Sequence, residues 1–291
     1  MSLKCLVKRS LHLVGRTFGH RPVVAQVVKL APNEMLAGRT ALITGGTSGI
    51  GYAIADAFLS AEASVVITGR SEKRVREACE RLISTDGQRS NRVYGAVMDI
   101  SNTGNLQSSF EGITGMLHGQ NIDILVNNAG IIGGNIFDIT EEEFTAVLNT
   151  NLKGTVFLSR IVAKYMIANK IRGNILNIAS SSSLRPANSA YTLSKWGIRG
   201  LTLGLAKSLI PHGIVVNGIA PGPTATPMLK TDAGKDIGHD TLPSGWFALP
   251  EEIASMAVFL VSGMGRTIVG DIVYMTGGAG LITFEDMNYT I

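Results

Sequence analysis

The sequence is poor in the residues that form disulfides and metal sites. Its two cysteines, Cys5 and Cys79, lie far apart, and its five histidines are scattered without the spacing of metal ligands. These features argue against a disulfide framework, predict no metal site and suit a reducing compartment. No apolar run approaches the roughly 18 residues that cross a bilayer, so no transmembrane segment is expected.

Acidic residues are missing from the amino-terminal end. Residues 1–33 hold six of the 26 basic residues and none of the 22 acidic ones. The remainder therefore has 20 basic against 22 acidic residues, a net charge of −2, although the whole chain carries +4. The predicted domain lacks a basic surface for phosphates, and nucleic acid is not expected as a partner.

Residues 1–36 are interpreted as an N-terminal extension of a domain at 37–291. Apolar residues recur there at helical spacing, with basic residues on the opposite face. Three interpretations are open: a transit peptide, a segment on an anionic membrane surface or partner, or an extension packed on the domain. The expected location is the cytoplasm, with organelle targeting or membrane-surface association through residues 1–30 as the alternative.

From residue 39 onwards, short apolar strands alternate with helical patterns. Such strands predict a parallel sheet covered by helices on both faces. We therefore expect a single α/β domain with a doubly wound, Rossmann-type parallel sheet of about seven strands. The predicted strands are 40–44, 64–68, 93–98, 124–127, 174–178, 215–219 and 272–275, and the main predicted helices are 72–83, 104–117, 141–168, 190–209 and 251–261.

A glycine-rich turn joins the first strand to the helix that follows it. Glycines at this place allow a tight turn and a close approach to a pyrophosphate at the helix N-terminus. Their spacing differs from the usual Gly-x-Gly-x-x-Gly, so the strand and helix context favours dinucleotide binding over a turn without a ligand. The predicted binding residues are Gly45, Thr47, Ser48, Gly49, Ile50 and Gly51.

The end of the second strand indicates which dinucleotide binds. An acidic residue there would hold the ribose of NAD, whereas a basic one would hold the 2′-phosphate of NADP. Arg70 occupies this position and no carboxylate does. We therefore predict NADP(H) as the cofactor, with NAD(H) less favoured; the alternative is that Arg70 is a solvated loop residue.

Tyr191 and Lys195 lie four residues apart at the start of a helical pattern, so both side chains project from one face. An ammonium close to a phenol lowers the phenol pKa from its usual value near 10 towards the range of an acid/base catalyst. Because this spacing also arises by chance, the interpretation depends on the surrounding motifs.

These motifs together resemble the short-chain dehydrogenase/reductase family, in its single-domain branch, similar to 3-oxoacyl-carrier-protein reductase-like enzymes. The resemblance covers residues 39 to about 280. It consists of an ordered set: Thr44-x-x-x-x-Gly49-x-Gly51, Asp99-Ile100, Asn127-Asn128-Ala129-Gly130, Asn151-Leu152-Lys153-Gly154, Ser180, Tyr191-x-x-x-Lys195, and Pro221-Gly222 followed by Thr226. It implies an oxidoreductase that transfers hydride between NADP(H) and a carbonyl or secondary alcohol.

The resemblance also implies further cofactor contacts. Asp99 and Ile100 would contact the adenine, and Lys195 would bind the nicotinamide ribose. The residues that would line the cleft or orient the carboxamide follow the fourth and sixth strands: Asn127, Ala129, Gly130, Pro221, Gly222, Thr224 and Thr226.

Four residues form the catalytic set that the resemblance implies. Tyr191 would exchange the proton, and Lys195 would tune it. Ser180 would hydrogen-bond the substrate oxygen, and Asn151, inside a long helix, would hold a water that links Lys195 to solvent. The family usually has its serine a dozen or more residues before the tyrosine, whereas Ser180 precedes Tyr191 by eleven, and Ser181 is the alternative.

The substrate is expected to be a small carbonyl or alcohol compound, and its identity is open. The irregular stretch 223–249 is interpreted as a lid, and an apolar pocket is predicted from Leu184, Met228, Leu229, Trp246 and Phe247. The resemblance implies a homotetramer or homodimer, with the tail at 281–284 as one contact. Alternative functions are NADP⁺-dependent alcohol oxidation, a nucleotide-sugar epimerase or dehydratase, and a catalytically silent dinucleotide-binding regulator.

Overall fold

The computed structural model describes residues 34–229, 237–238 and 242–281. The N-terminal extension lies outside these residues except for 34–36, and the tail contact predicted at 281–284 lies outside them except for Leu281. Leu36 is completely buried and belongs to the hydrophobic core. None of the helices in the described ranges is both long enough and apolar enough to cross a membrane.

The described strands form one parallel sheet in the order β3-β2-β1-β4-β5-β6-β7. This order confirms the predicted doubly wound α/β fold, in which the strand order reverses between β1 and β4. Four of the predicted strands have the observed bounds, and the others differ by one or two residues. The strands are β1 Thr40–Thr44, β2 Ser64–Gly69, β3 Val93–Val97, β4 Ile124–Asn127, β5 Asn174–Ile178, β6 Val215–Pro221 and β7 Ile272–Met275.

Helices cover both faces of the sheet. Along β1, Ala41 and Ile43 enter the core beneath α1, α2 and α7, whereas Leu42 enters the core beneath α3, α5 and α6. This alternation explains why the strand is buried at every position. The helices are α1 Gly49–Ser60, α2 Glu72–Thr85, α3 Leu106–Met116, α4 Glu141–Leu148, α5 Thr155–Ala168, α6 Ala190–Leu209 and α7 Pro250–Val261.

The prediction of one continuous helix at 141–168 is wrong in one respect. A π-helical turn at Asn149–Gly154 separates α4 from α5. The turn brings Gly154 so close to the β3–α3 loop that a β-carbon on it would lie 2.3 Å from the carbonyl oxygen of Ile100. It also buries Asn151, which was expected inside a regular helix. Single π turns of this kind occur often at functional sites.

Helix α6 begins immediately before Tyr191 because Ser189 caps it. The Ser189 hydroxyl accepts a hydrogen bond from the backbone N–H of Thr192 at 3.1 Å. Such a cap satisfies one of the free N–H groups of the first turn and fixes where the helix starts. Tyr191 therefore sits in the first turn of α6 and Lys195 in the second.

Candidate active site

A cleft of about 860 Å³ lies at the carboxyl ends of the strands. Segments that follow β1 to β6 line it, as expected for ligand sites in open α/β sheets. Its volume is within the range of about 300–1,000 Å³ that is usual for small-molecule and cofactor sites. The predicted residues that line it are Gly45, Thr47, Ser48, Gly49, Ile50, Arg70, Asp99, Ile100, Ala129, Gly130, Ser180, Tyr191, Lys195, Pro221, Gly222, Thr224 and Thr226.

The glycine-rich turn is packed tightly against the end of β4. Gly45 and Gly49 have φ values of +65° and +56°, in the left-handed region that favours glycine. A β-carbon on Gly45 would lie 2.9 Å from the Cα of Ala129. The turn therefore needs glycine both for its backbone conformation and for the close approach of the two segments.

Asn128 holds this turn in place, a role that the sequence did not reveal. Its side-chain Nδ2 donates hydrogen bonds to the carbonyl oxygens of Thr44 at 2.9 Å and Gly45 at 3.1 Å. Gly51 packs behind the same amide and does not line the cleft, contrary to expectation; a β-carbon on it would lie 2.3 Å from Nδ2. Gly51 thus allows the helix to approach the strand end.

Asn127, which was expected to line the cleft, is also not among the residues that line it. Its side chain is buried beneath the cleft, where Nδ2 donates to Ser159 Oγ and to Asn177 Oδ1, both at 2.9 Å. Adjacent residues at a strand end point in opposite directions. Asn128 therefore contacts the glycine-rich turn while Asn127 ties β4 to β5 and α5.

Two guanidinium groups stand at the end of the cleft that follows β2. Arg70 lines the cleft as predicted, and Arg74, four residues further on in the first turn of α2, lines it as well. Arg74 was not predicted from the sequence, because Arg70 precedes the helix and no helical spacing relates the two residues. The Asp99 carboxylate accepts hydrogen bonds from the Ser101 backbone N–H at 2.9 Å and hydroxyl at 2.7 Å.

Tyr191 and Lys195 come together at the other end of the cleft. Lys195 Nζ lies 5.6 Å from the centroid of the Tyr191 ring. The ammonium donates a hydrogen bond to the carbonyl oxygen of Ile178, at the end of β5, at 2.8 Å. The helix and the strand end thus hold the two side chains in one fixed arrangement.

Burial dominates the ionisation of both groups. Burial raises the pKa of the Tyr191 phenol above its usual value, and a side-chain hydrogen bond with Ser180 partly offsets this. Lys195 was expected to lower the Tyr191 pKa, but burial instead raises it. Burial lowers the pKa of Lys195 from 10.5 to about 8, so its ammonium is still the main form at neutral pH.

Ser180, rather than Ser181, is the serine that lowers the pKa of Tyr191. The hydroxyl of Ser180 accepts a hydrogen bond from the Ser182 backbone N–H at 3.1 Å. Ser181 also lines the cleft and begins the 3₁₀-helix Ser181–Leu184.

Asn151 lies behind the cleft wall. Its amide pairs with the backbone of Ile131 in both directions, accepting from N–H at 2.8 Å and donating to the carbonyl at 2.9 Å. The same Nδ2 donates to Ser194 Oγ at 3.0 Å, and Ser194 Oγ donates to the carbonyl oxygen of Tyr191 at 2.6 Å. Asn151 therefore links the π turn, the segment after β4 and the first turn of α6.

The predicted apolar pocket is only partly formed. Met228 and Leu229 line the cleft, whereas Leu184, Trp246 and Phe247 do not. Ile132 and Arg185 line it in addition and were not singled out by the sequence. Residues 230–236 and 239–241 of the predicted lid lie outside the described residues. Within the described ranges, no group of three or more histidine, cysteine or acidic side chains is arranged to hold a metal ion.

Comparison with known proteins bears on this cleft. A family model for short chain dehydrogenase matches residues 39–236. The chain is 34% identical over 250 residues to the 3-oxoacyl-[acyl-carrier-protein] reductase FabG of Aquifex aeolicus (strain VF5), covering 84% of this chain and 98% of that protein.

Solved structures show the same fold. A gluconate 5-dehydrogenase from Burkholderia cenocepacia J2315, in complex with NADP and tartrate, is 30% identical with a TM-score of 0.75 and covers 86% of this chain and 98% of its own. A 3-ketoacyl-(acyl-carrier-protein) reductase from Brucella melitensis, complexed with NADH, is 28% identical with a TM-score of 0.75 and covers 84% and 100%. The resemblance found in the sequence is confirmed: the chain belongs to the short-chain dehydrogenase/reductase family, whose members are oxidoreductases that transfer hydride between NAD(P)(H) and carbonyl or alcohol groups.

Proposed function

We propose that this protein is an NADP(H)-dependent reductase of a small-molecule carbonyl compound. The observation that carries the proposal is that one cleft joins a Tyr-Lys-Ser arrangement at one end to two guanidinium groups at the other. A silent binding protein would have no need to hold Tyr191 and Lys195 in so specific a geometry. Oxidation of the corresponding alcohol is the reverse of the same reaction.

The guanidiniums of Arg70 and Arg74 support NADP(H) over NAD(H). Relatives do not decide the matter, because one solved structure contains NADP and another NADH. Arginine presents a planar fork of donors that suits a phosphate dianion. The glycine-rich turn and the N-terminus of α1 would face the pyrophosphate.

When bound, the nicotinamide ring would supply the hydride to the carbonyl carbon. Ser180 would donate a hydrogen bond to the carbonyl oxygen, where negative charge builds during the reaction. Tyr191 would give its proton to the same oxygen and complete the alcohol. Lys195 would hold its charge next to the tyrosinate that remains and would bind the ribose.

The ionisation of the two groups suits this direction. Because burial raises the Tyr191 pKa, the phenol stays protonated at neutral pH and is ready to donate. A tyrosinate buried in the same place would be costly without a nearby cation, and Lys195 is that cation. The lysine thus acts after the proton has left.

We propose that Asn151 is a positioning residue. Through Ser194 it is tied to the backbone of Tyr191 itself, and through Ile131 to the wall of the cleft. The water link from Lys195 to solvent that the family resemblance implies for Asn151 stays a prediction.

The decrease in NADPH absorbance over time, measured with the purified protein, tests this function. The purified protein should consume NADPH with at least one member of a panel of ketones and oxo esters, and NADH should serve less efficiently. Binding of NADPH without turnover of any carbonyl or alcohol in the panel would instead favour a dinucleotide-binding regulator.

We also propose that the chain assembles as a homodimer or homotetramer. The outer face of α6 exposes Trp196 and Leu203, and Val269 before β7 is exposed as well. Exposed apolar side chains of this size on one helix favour association. Light scattering after size-exclusion chromatography would detect it, and a monomeric mass at micromolar concentration would contradict it.

A further inference from the structure

Arg185 occupies the catalytic end of the cleft together with Ser180 and Tyr191. It follows the 3₁₀-helix Ser181–Leu184, and its backbone is anchored on both sides. Its N–H donates to the carbonyl oxygen of Ser182 at 3.2 Å, and its carbonyl oxygen accepts from Trp196 Nε1 at 2.8 Å. The side chain therefore starts from a fixed point beside the reacting groups.

The guanidinium lies against the segment that follows β7. A β-carbon placed on Gly280 would lie 3.1 Å from Nε of Arg185 and 3.5 Å from its Nη2. Gly280 has a φ of +76°, so a side chain is disfavoured there for its backbone as well. The glycine leaves space for the flat guanidinium group at this edge of the cleft.

The charge of Arg185 has no acidic counterpart within the described residues. None of the ion pairs found in this part of the chain includes it. Asp99, which lines the cleft, follows β3 at the end where Arg70 and Arg74 also stand. At the catalytic end, the buried Lys195 is bonded to the carbonyl oxygen of Ile178, and Arg185 is the exposed cation.

We infer that Arg185 binds an anionic group of the carbonyl substrate, a carboxylate or a phosphate, and so determines the substrate class. This inference rests on the proposed function. A guanidinium pairs with either group through two parallel hydrogen bonds, which fixes orientation as well as affinity. Binding at one end would set the carbonyl of the substrate beside Ser180 and Tyr191.

Three substrates that share the same ketone group but differ in charge test the inference. The assays use the full-length protein and NADPH. Acetoacetate carries a carboxylate, ethyl acetoacetate carries no charge, and acetoacetyl-coenzyme A carries phosphates. Each is assayed with the wild type, with Arg185→Gln and with Arg266→Gln. Arg266 is the matched control because it is exposed and does not line the cleft.

We expect the wild type to prefer an anionic substrate and Arg185→Gln to lose about tenfold or more in kcat/KM for it, since a hydrogen bond to a charged group is worth that much. The ester should change less than about threefold, and the KM for NADPH and every rate of Arg266→Gln should stay at the wild-type level. Loss for acetoacetate identifies a carboxylate, and loss confined to the coenzyme A thioester identifies a phosphate.

Three results would overturn the role of Arg185. They are an equal loss of kcat/KM with charged and neutral ketones, no loss with any ketone, and a raised KM for NADPH instead of for the ketone. In those cases the proposed reductase function survives, because the wild type still turns over a ketone. Absence of turnover with every ketone would refute the reductase function itself, and the inference would fall with it.

Discussion

Replacing Gly51 by alanine should disrupt the cofactor site from beneath. The new β-carbon would lie 2.3 Å from Nδ2 of Asn128 and 2.5 Å from the carbonyl oxygen of Gly45. To relieve this overlap the Asn128 amide must move, which breaks its hydrogen bonds to Thr44 and Gly45. The glycine-rich turn would then lose the side chain that holds it.

The magnitude follows from these contacts. Each lost hydrogen bond costs about 1 kcal/mol, and overpacking costs about 1–3 kcal/mol. Alanine gains back up to about 1 kcal/mol in helix propensity. The free energy of unfolding should therefore fall by about 2–4 kcal/mol, and the affinity for NADPH should fall with it.

Urea denaturation and titration of NADPH fluorescence measure the two effects. Gly112→Ala is the control, because Gly112 lies in α3, where a new β-carbon would meet no atom of another segment within 4 Å. This change should stabilise the protein by up to about 1 kcal/mol. A Gly51→Ala protein as stable as the wild type, with unchanged NADPH affinity, would refute the reasoning.

Three further predictions concern the two ends of the cleft. The double variant Arg70→Ala/Arg74→Ala should lose tenfold or more in kcat/KM for NADPH, about the worth of one charge-assisted bond, and little for NADH; equal losses with both cofactors would contradict the assignment. Burial lowers the Lys195 pKa to about 8, so with rising pH the native state releases this proton before the unfolded state does. The free energy of unfolding should therefore rise by about 2 kcal/mol between pH 8 and 10. Denaturation at each pH should show that Lys195→Met removes this rise. Ser180→Ala should lower kcat by about 10²–10³, whereas Ser181→Ala should retain most activity; the reverse result would make Ser181 the catalytic serine.

The sequence was sufficient to predict the sheet and most of the cleft. Buried parallel strands are nearly continuous apolar runs, so β1, β4, β5 and β7 could be placed at their observed bounds. Residues after the strands then had to meet at one edge, which is why most of the predicted binding residues line the cleft.

Features that depend on tertiary contacts could not be predicted in this way. The π turn at Asn149–Gly154 leaves the apolar pattern of a long helix unchanged, and it is visible only where Asn151 bonds to the Ile131 backbone. The exchange of roles between Asn127 and Asn128 depends on the direction in which each side chain leaves the strand end. No local pattern contains that information.

Electrostatics gave the largest difference between expectation and structure. Helical spacing correctly placed Lys195 beside Tyr191, but it said nothing about the depth of burial. Burial raises the Tyr191 pKa, so the phenol is a protonated acid that can donate rather than a preformed base. Arg185 was also missed, since a residue in a loop approaches the Gly280 turn only in the folded chain.

Turnover of the Tyr191→Phe variant tests the central claim most directly. The phenyl ring keeps the packing of the tyrosine and removes only the hydroxyl that exchanges the proton. We predict that kcat for ketone reduction falls by about 10²–10⁴, while the dissociation constant for NADPH, measured by fluorescence, stays within about threefold of the wild type. A variant that keeps more than about a tenth of the wild-type kcat would contradict the assignment of Tyr191 as the proton donor.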